Sequence, residues 1–184
     1  MIYEKVLKEL SEERPVFHSE SDFQHALAWK IHQKYPNLKI RLEKREEINN
    51  EEIYFDIFIF GCHRIYAIEL KYKTAELDIT LLKLNERYIL KNQGAQDQAR
   101  YDFCKDIERL EKFFKKYKGT GFAVFLTNDS EYWKKPSQNL NTNDKEFRIH
   151  EGKILQGCLK WKEGDSQGTI QGREEGINLT GTYQ

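Results

Sequence analysis

The chain has 184 residues, 39% of them hydrophobic and 13% aromatic, and its 30 basic side chains are balanced by 30 acidic ones. That length is one domain's worth, long enough to bury a core, and the composition excludes overall disorder. A net charge of zero excludes a globally basic coat for a polyanion, so only local basic surfaces remain, and no apolar stretch approaches the ~20 residues of a membrane span.

Residues 2–10 place Ile2, Val6, Leu7 and Leu10 at helical spacing before Pro15, which predicts a short outer helix. A second helix opens at His18-Ser19-Glu20-Ser21-Asp22 and runs to about Tyr35, with Pro36 stopping it. Ser19 or Ser21 can cap it, Phe23, Leu27 and Ile31 form its apolar stripe, and Glu20 and Asp22 sit where acids complement the helix dipole. His18 and His25 read as surface or packing residues. Leu38, Ile40 and Leu42 then alternate with Lys39, Arg41 and Glu43 as a half-exposed strand, and Asn49-Asn50-Glu51-Glu52 forms a turn.

The chain is organised around residues 54–74, YFDIFIFGCHRIYAIELKYKT. Alternating Ile, Tyr and Phe on either side of Gly61-Cys62-His63-Arg64 predict two strands joined by a tight turn. Both carry charge where a core belongs: Asp56 on the first, and Glu69 and Lys71, two apart and so on one face, on the second. With Cys62 and His63 as the loop, Asp56 falls opposite Glu69, Cβ atoms about 4.5–5.5 Å apart. Unpaired charge in an apolar sheet is expensive and two adjacent carboxylates repel, so a divalent cation is the simplest stabiliser. Mg²⁺ takes one or two protein carboxylates at about 2.0–2.1 Å and keeps water or phosphate for the rest. A surface salt bridge also gives Glu-x-Lys, and Glu151-Gly152-Lys153 on a glycine turn is such a copy.

Beyond this hairpin, Ile79, Leu81, Tyr88 and Leu90 predict a second one turning at Asn85-Glu86. Lys71, Lys73, Lys83, Arg87 and Lys91 make its surroundings basic, suited to a phosphate backbone or to protecting a strand edge from aggregation. The longest helix spans about Ala95 to Lys118, with Tyr101, Cys104, Ile107, Leu110, Phe113, Phe114 and Tyr117 as its apolar side and with Gln96 and Arg100 one turn apart near its start. Phe122 to Thr127 is a continuous apolar run, the signature of a strand buried on both faces. Asn139 to Asp144 is a polar loop, and Phe147, Ile149, Ile154, Leu155, Leu159, Trp161, Ile170, Ile177 and Leu179 between recurring glycines predict short strands. The whole reads as a single domain, 1–184, with a core over 20–127 and a β-rich extension over 140–184. The three cysteines, Cys62, Cys104 and Cys158, have neither metal-ligand nor disulfide-framework spacing, and free thiols suit a soluble cytoplasmic protein.

Asp56, twelve intervening residues and Glu69-Leu70-Lys71 resemble the bipartite signature of the PD-(D/E)XK nuclease superfamily, with Phe55 where that family carries proline. Helix, three strands, long helix and strand match the αβββαβ order of its restriction-endonuclease-like fold, an α/β architecture with a mixed sheet flanked by helices. The resemblance implies a Mg²⁺- or Mn²⁺-dependent phosphodiesterase acting on nucleic acid, DNA foremost, and allows a homodimer. It implies Asp56 and Glu69 as metal ligands, Glu20 as a third acid facing the metal, and Lys71 at the attacking water or a phosphate oxygen. Lys73, Gln96 and Arg100 are the candidates for nucleic-acid contact. The branch with Q-x-x-x-Y on the long helix is not matched, since Tyr101 follows Gln96 by five residues. The competing readings are a non-catalytic nucleic-acid- or protein-binding module on the same fold, and an interaction protein in which Glu-x-Lys is a salt bridge.

Overall fold

Two helices open the chain in the computed structural model, which describes residues 2–136, 141–162, 164 and 167–184. Helix α1 (Ile2–Glu13) outlasts the predicted 2–10 by a turn and buries Val6 and Leu10. Helix α2 (Glu20–Lys34) starts where Ser19 accepts a hydrogen bond from the Asp22 amide at 3.1 Å, which selects Ser19 over Ser21 as the cap. Its stripe buries Phe23, Leu27, Ala28 and Ile31.

Strands β1 (Lys39–Ile48) and β2 (Glu51–Phe60) pair antiparallel, and Asn49 and Asn50 turn between them at φ +53° and +67°. Two consecutive positive φ values make a turn whose twist matches the strands, and asparagine tolerates them. Strand β3 (Ile65–Lys73) pairs antiparallel with β2 across the two-residue Cys62-His63 loop, closed by Gly61 N–H donating to the Arg64 carbonyl at 2.9 Å. The predicted second hairpin is β4 (Leu77–Leu81) with β5 (Glu86–Leu90), turning through Asn85 at φ +51°. Helix α3 (Gln96–Lys116) follows, and β6 (Gly119–Thr127) returns parallel to β3.

The result is a mixed α/β fold around a sheet of order β1-β2-β3-β6. Helices α1 and α2 cover Ile57, Ile59, Ile68 and Leu70 on one face. On the other, Leu110 and Phe113 of α3 pack on Phe55, Phe58 and Ala67. The expectation that β6 is buried on both faces is corrected: it is an edge strand, and all nine of its residues are partly exposed.

The predicted loop over 139–144 begins on residues outside the described ones. Downstream, a 3₁₀ turn (Lys145–Phe147), β7 (Leu155–Leu159), a short helix α4 (Gln167–Ile170) and β8 (Ile177–Tyr183) form a layer against the outer side of α3. Its two strands pair antiparallel. Among the described residues no helix is long and apolar enough to cross a membrane.

Candidate active site

The central sheet comes apart at Asp56. Alternation along β2 breaks there, since Ile53 and Phe55 pack toward α3, Ile57 and Ile59 toward α1 and α2, and Phe58 toward α3 again. Glu43, which falls opposite Asp56 between the pairs Leu42–Ile57 and Lys44–Phe55, has φ +50°, a left-handed conformation costly for a side-chain-bearing residue. Both strands therefore exchange faces at this point. Gln24 of α2 fills the breach, its Nε2 donating to the Asp56 carbonyl at 2.8 Å and to Glu43 Oε1 at 2.5 Å.

On its other side the β2–β3 ladder has the register that the Cys62-His63 loop predicts, but it stops at Ile57–Ile68, one residue short of a pairing of Asp56 with Glu69. Side chains replace the missing strand. The Leu70 amide donates to Asp56 Oδ2 at 2.5 Å and the Tyr72 amide to Glu20 Oε2 at 2.6 Å. Two carboxylates thus lie in the gap between diverging strands. Glu20, placed at the start of α2 by the Ser19 cap, spends its charge on β3 rather than on its own helix. Its field reaches both Asp56 and Lys71.

Glu69 and Lys71 turn toward α3, as their two-residue spacing predicts. There they meet two residues that the sequence reading did not single out. Arg109 Nη1 lies 2.8 Å from Glu69 Oε1 and 3.2 Å from Asp106 Oδ1, and Lys71 Nζ lies 2.9 Å from Asp106 Oδ2. Glu69 is 3% exposed and Asp106 2%. The signal for them was a charged pair three apart on α3, flanking Ile107 and preceding Leu110 in the apolar stripe, so that it shares the sheet-facing side.

Burial sets the electrostatics. Desolvation raises the Asp56 carboxyl to about 6 from 3.8, against the Leu70 amide and Lys71, which act to lower it. Desolvation and then the Asp106 charge hold Glu69 above the ordinary carboxylate range in spite of Arg109. For Lys71, desolvation pulls downward but is outweighed by Asp106, Glu20 and Asp56, so its pKa is raised and it stays an ammonium.

Asp56 and Glu69 suit a hard divalent cation in donor chemistry. Each commits one oxygen to a protein donor, Asp56 Oδ2 to the Leu70 amide and Glu69 Oε1 to Arg109. Burial disfavours the ionised form of both and raises their pKa values. Among the described residues no group of three or more His, Cys, Asp or Glu side chains is arranged to hold a metal. An ion held by Asp56 and Glu69 would have to complete its shell with water.

The remaining candidates divide. Lys73 lies on β3 beyond Lys71 and lines an open groove of about 450 Å³ with Glu20, Tyr72, Lys91 and Gln93. Gln96 is turned to Asp129, its Nε2 3.2 Å from Oδ2. Arg100 is corrected outright: it is 4% exposed, its Nη1 donates to Asp144 Oδ2 at 2.5 Å and its Nη2 to the Glu131 carbonyl at 2.8 Å. Such a guanidinium is spent on the protein interior and does not reach a phosphate. Comparison with family models, with characterised proteins and with solved structures returns no match.

Proposed function

We propose that the chain is a Mg²⁺- or Mn²⁺-dependent nuclease of the PD-(D/E)XK kind, cleaving phosphodiester bonds of nucleic acid, DNA foremost. The observation that carries this reading is the parted β2–β3 ladder, with the Asp56 and Glu20 carboxylates in the opening and the Lys71 ammonium and Glu69 beside it. An interior that breaks its own backbone hydrogen bonds to seat acids has set stability aside for a site. Support for a restriction-endonuclease-like core comes from the two antiparallel pairings and one parallel pairing of the sheet and the helices on both faces, with the layer after Lys145 as an addition to it.

In this reading Asp56 and Glu69 hold the cation, which supplies an activated water and neutralises phosphate charge when bound. The Leu70 amide and Gln24 fix where Asp56 sits. Lys71, kept protonated, stabilises negative charge on the phosphate and does not act as a base. Glu20 orients solvent at the mouth of the site. Lys73 and Lys91 in the adjoining groove follow the phosphodiester backbone.

The test is cleavage of single-stranded, duplex and branched DNA and of RNA with Mg²⁺ or Mn²⁺. Asp56→Asn and Lys71→Ala are expected to lower the rate by roughly 10²-fold or more while circular dichroism stays native. Wild-type protein that cleaves none of these substrates sinks the enzyme. A second reading, a non-catalytic binding module, is favoured by one specific observation, the capture of Glu69 by Arg109 and of Lys71 by Asp106. Calorimetric titration with Mn²⁺ separates the two, because the nuclease binds it through Asp56 and the module does not.

A further inference from the structure

We propose, on the reading of the chain as one that acts on nucleic acid, that the groove between α2 and β1 holds an unpaired strand, with a base stacked on Trp29 and phosphates on Lys39 and Arg41. The groove measures about 420 Å³ and is lined by His25, Trp29 and His32 from α2 and by Lys39 and Arg41 from β1, and among the described residues no carboxylate lines it. His25, Trp29 and His32 recur at four and three residues, on a side of α2 away from the stripe of Phe23, Leu27 and Ile31 that enters the core. Helix packing therefore leaves the indole outside.

Charge and aromatic surface are both left unspent there. Lys30, Lys34, Lys44 and Arg45 each hold a carboxylate, whereas Lys39 and Arg41, the other cations of α2 and β1, have no acidic partner among the described residues. Arg41 Nη1 donates to the Ile40 carbonyl at 2.8 Å, which leaves the rest of its guanidinium for an anion. Trp29 is 63% exposed. Among the described residues its one ring neighbour is His32, tilted by 46° with centroids 6.0 Å apart, and no cation lies over it. Protection of an edge strand accounts for the charge on β1, but it gives no reason for an indole standing open beside that charge.

An open aromatic face beside unpaired cations is the combination that binds single strands, because every base can stack and every phosphate is an anion. A duplex keeps its bases stacked on one another and offers no face to an indole inside a groove. A run of acidic side chains satisfies the cations and leaves the indole without a plane to stack on. Position favours the same ligand. Gln24, which patches the parted sheet by donating to the Asp56 carbonyl and to Glu43, immediately precedes His25, and Glu43 lies two residues beyond Arg41. The groove thus runs outward from the breach at Asp56, and Trp29 stands about 14 Å along α2 from Glu20. A strand that passes the site continues into the groove.

Binding is tested with a chelator present, so that cleavage plays no part, by titrating the full chain into a fluorescein-labelled single strand of about 12 nucleotides. Trp29→Ala is expected to weaken binding roughly 10-fold or more and Trp29→Phe to retain most of the affinity. Lys39→Ala and Arg41→Ala are each expected to lower the slope of log affinity against log salt by about 0.7. All three side chains are exposed, so the variants keep the wild-type Tm. The same sequence as a duplex, and polyglutamate, are expected to bind more weakly and to be indifferent to Trp29→Ala. Wild-type protein that binds no single strand, unchanged affinity in Trp29→Ala, an unchanged salt slope in both Lys39→Ala and Arg41→Ala, or a duplex or polyglutamate bound with the same dependence on Trp29 overturns the proposal. The nuclease fails separately. Wild-type protein that cleaves nothing with Mn²⁺ yet binds through Trp29 sinks the enzyme alone, and one that cleaves while Trp29→Ala binds equally well sinks the groove alone.

Discussion

Asp56 concentrates the cost of this site in one residue. It stands where β1 and β2 exchange faces, opposite Glu43 at positive φ, and it gives up a place in the ladder to bind the Leu70 amide. Its carboxyl, raised to about 6 from 3.8, binds a proton more readily in the folded chain than in the unfolded one. The associated stability is fully present below about pH 3.8 and is lost as pH rises through about 6. Asp56→Asn keeps an oxygen for the Leu70 amide and removes the charge. The variant is therefore expected to be more stable than wild type at pH 8, by about 1–2 kcal/mol after allowance for the solvent that still reaches the group, with the difference vanishing toward pH 4. Melting curves across that range check it. Saturating Mn²⁺ should reverse the order at pH 8, since a ligand bound by the native site alone raises the wild-type Tm and leaves Asp56→Asn unmoved. Asp56, Glu69 and Lys71 were legible as candidates because ionised groups inside apolar strands have few explanations. Arg109 and Asp106 were not, because on a helix with many charges only the sheet that packs against it distinguishes a buried ion pair from a solvated one. Gln24 and Glu43 were hidden for a related reason: their role is to patch a ladder whose break is a tertiary event.

Helix α3 shows how element and face can be legible separately. Its length and apolar stripe followed from spacing, and the structure shortens the prediction only by a residue or two at each end. The face turned to the site did not. Gln96 and Arg100 lie at the N-terminal end of α3, beside the turn at Asp129 and Tyr132, while Asp106 and Arg109 reach β3 from further along. A one-turn repeat of polar residues identifies a shared face without fixing which neighbour that face meets. The buried Arg100–Asp144 pair therefore yields a structural prediction instead of a functional one. Arg100→Ala leaves Asp144 buried with much of its positive charge removed and is expected to cost about 3–5 kcal/mol in chemical denaturation. The folded fraction should bind nucleic acid with unchanged affinity, whereas Lys73→Ala should weaken binding with little change in stability. Equal losses of affinity in the two variants would return Arg100 to the interface. Strand β6 gives the converse lesson, since its apolar run has the composition of an interior strand and the single chain leaves its edge open.

At the scale of the molecule, α3 is clamped between two layers, and the site depends on that clamp. One side carries Asp106 and Arg109 to β3. The other is fastened to the layer after Lys145 by carboxylates, with Glu108 accepting from the Asn178 amide at 2.9 Å and Glu111 accepting from the Thr180 and Gly181 amides at 2.7 and 2.6 Å. Apolar contacts run beside these bonds. Phe147, fully buried, lies 5.1 Å from the Tyr101 ring and 4.8 Å from Trp161, within a cluster that includes Cys104, Ile107, Leu155, Ile177 and Leu179. The strands through Leu155 and Leu159 and through Ile177 and Leu179 were legible from apolar residues between glycines, whereas Phe147 and Ile170, expected on strands, lie in a 3₁₀ turn and a helix. The layer's seat was not legible, since Tyr101, Cys104 and Ile107 count equally well toward packing on the main sheet. Removing Phe147 tests the clamp without touching the site. Phe147→Ala deletes a ring that its neighbours cannot replace, and truncations of this kind cost about 3–5 kcal/mol. A lower Tm with unchanged Mn²⁺ affinity in the folded protein means that the layer supports α3 as a rigid body. If affinity shifts together with Tm, the hold of Arg109 on Glu69 is adjusted through the far side of the helix, and α3 is then a lever between the two layers.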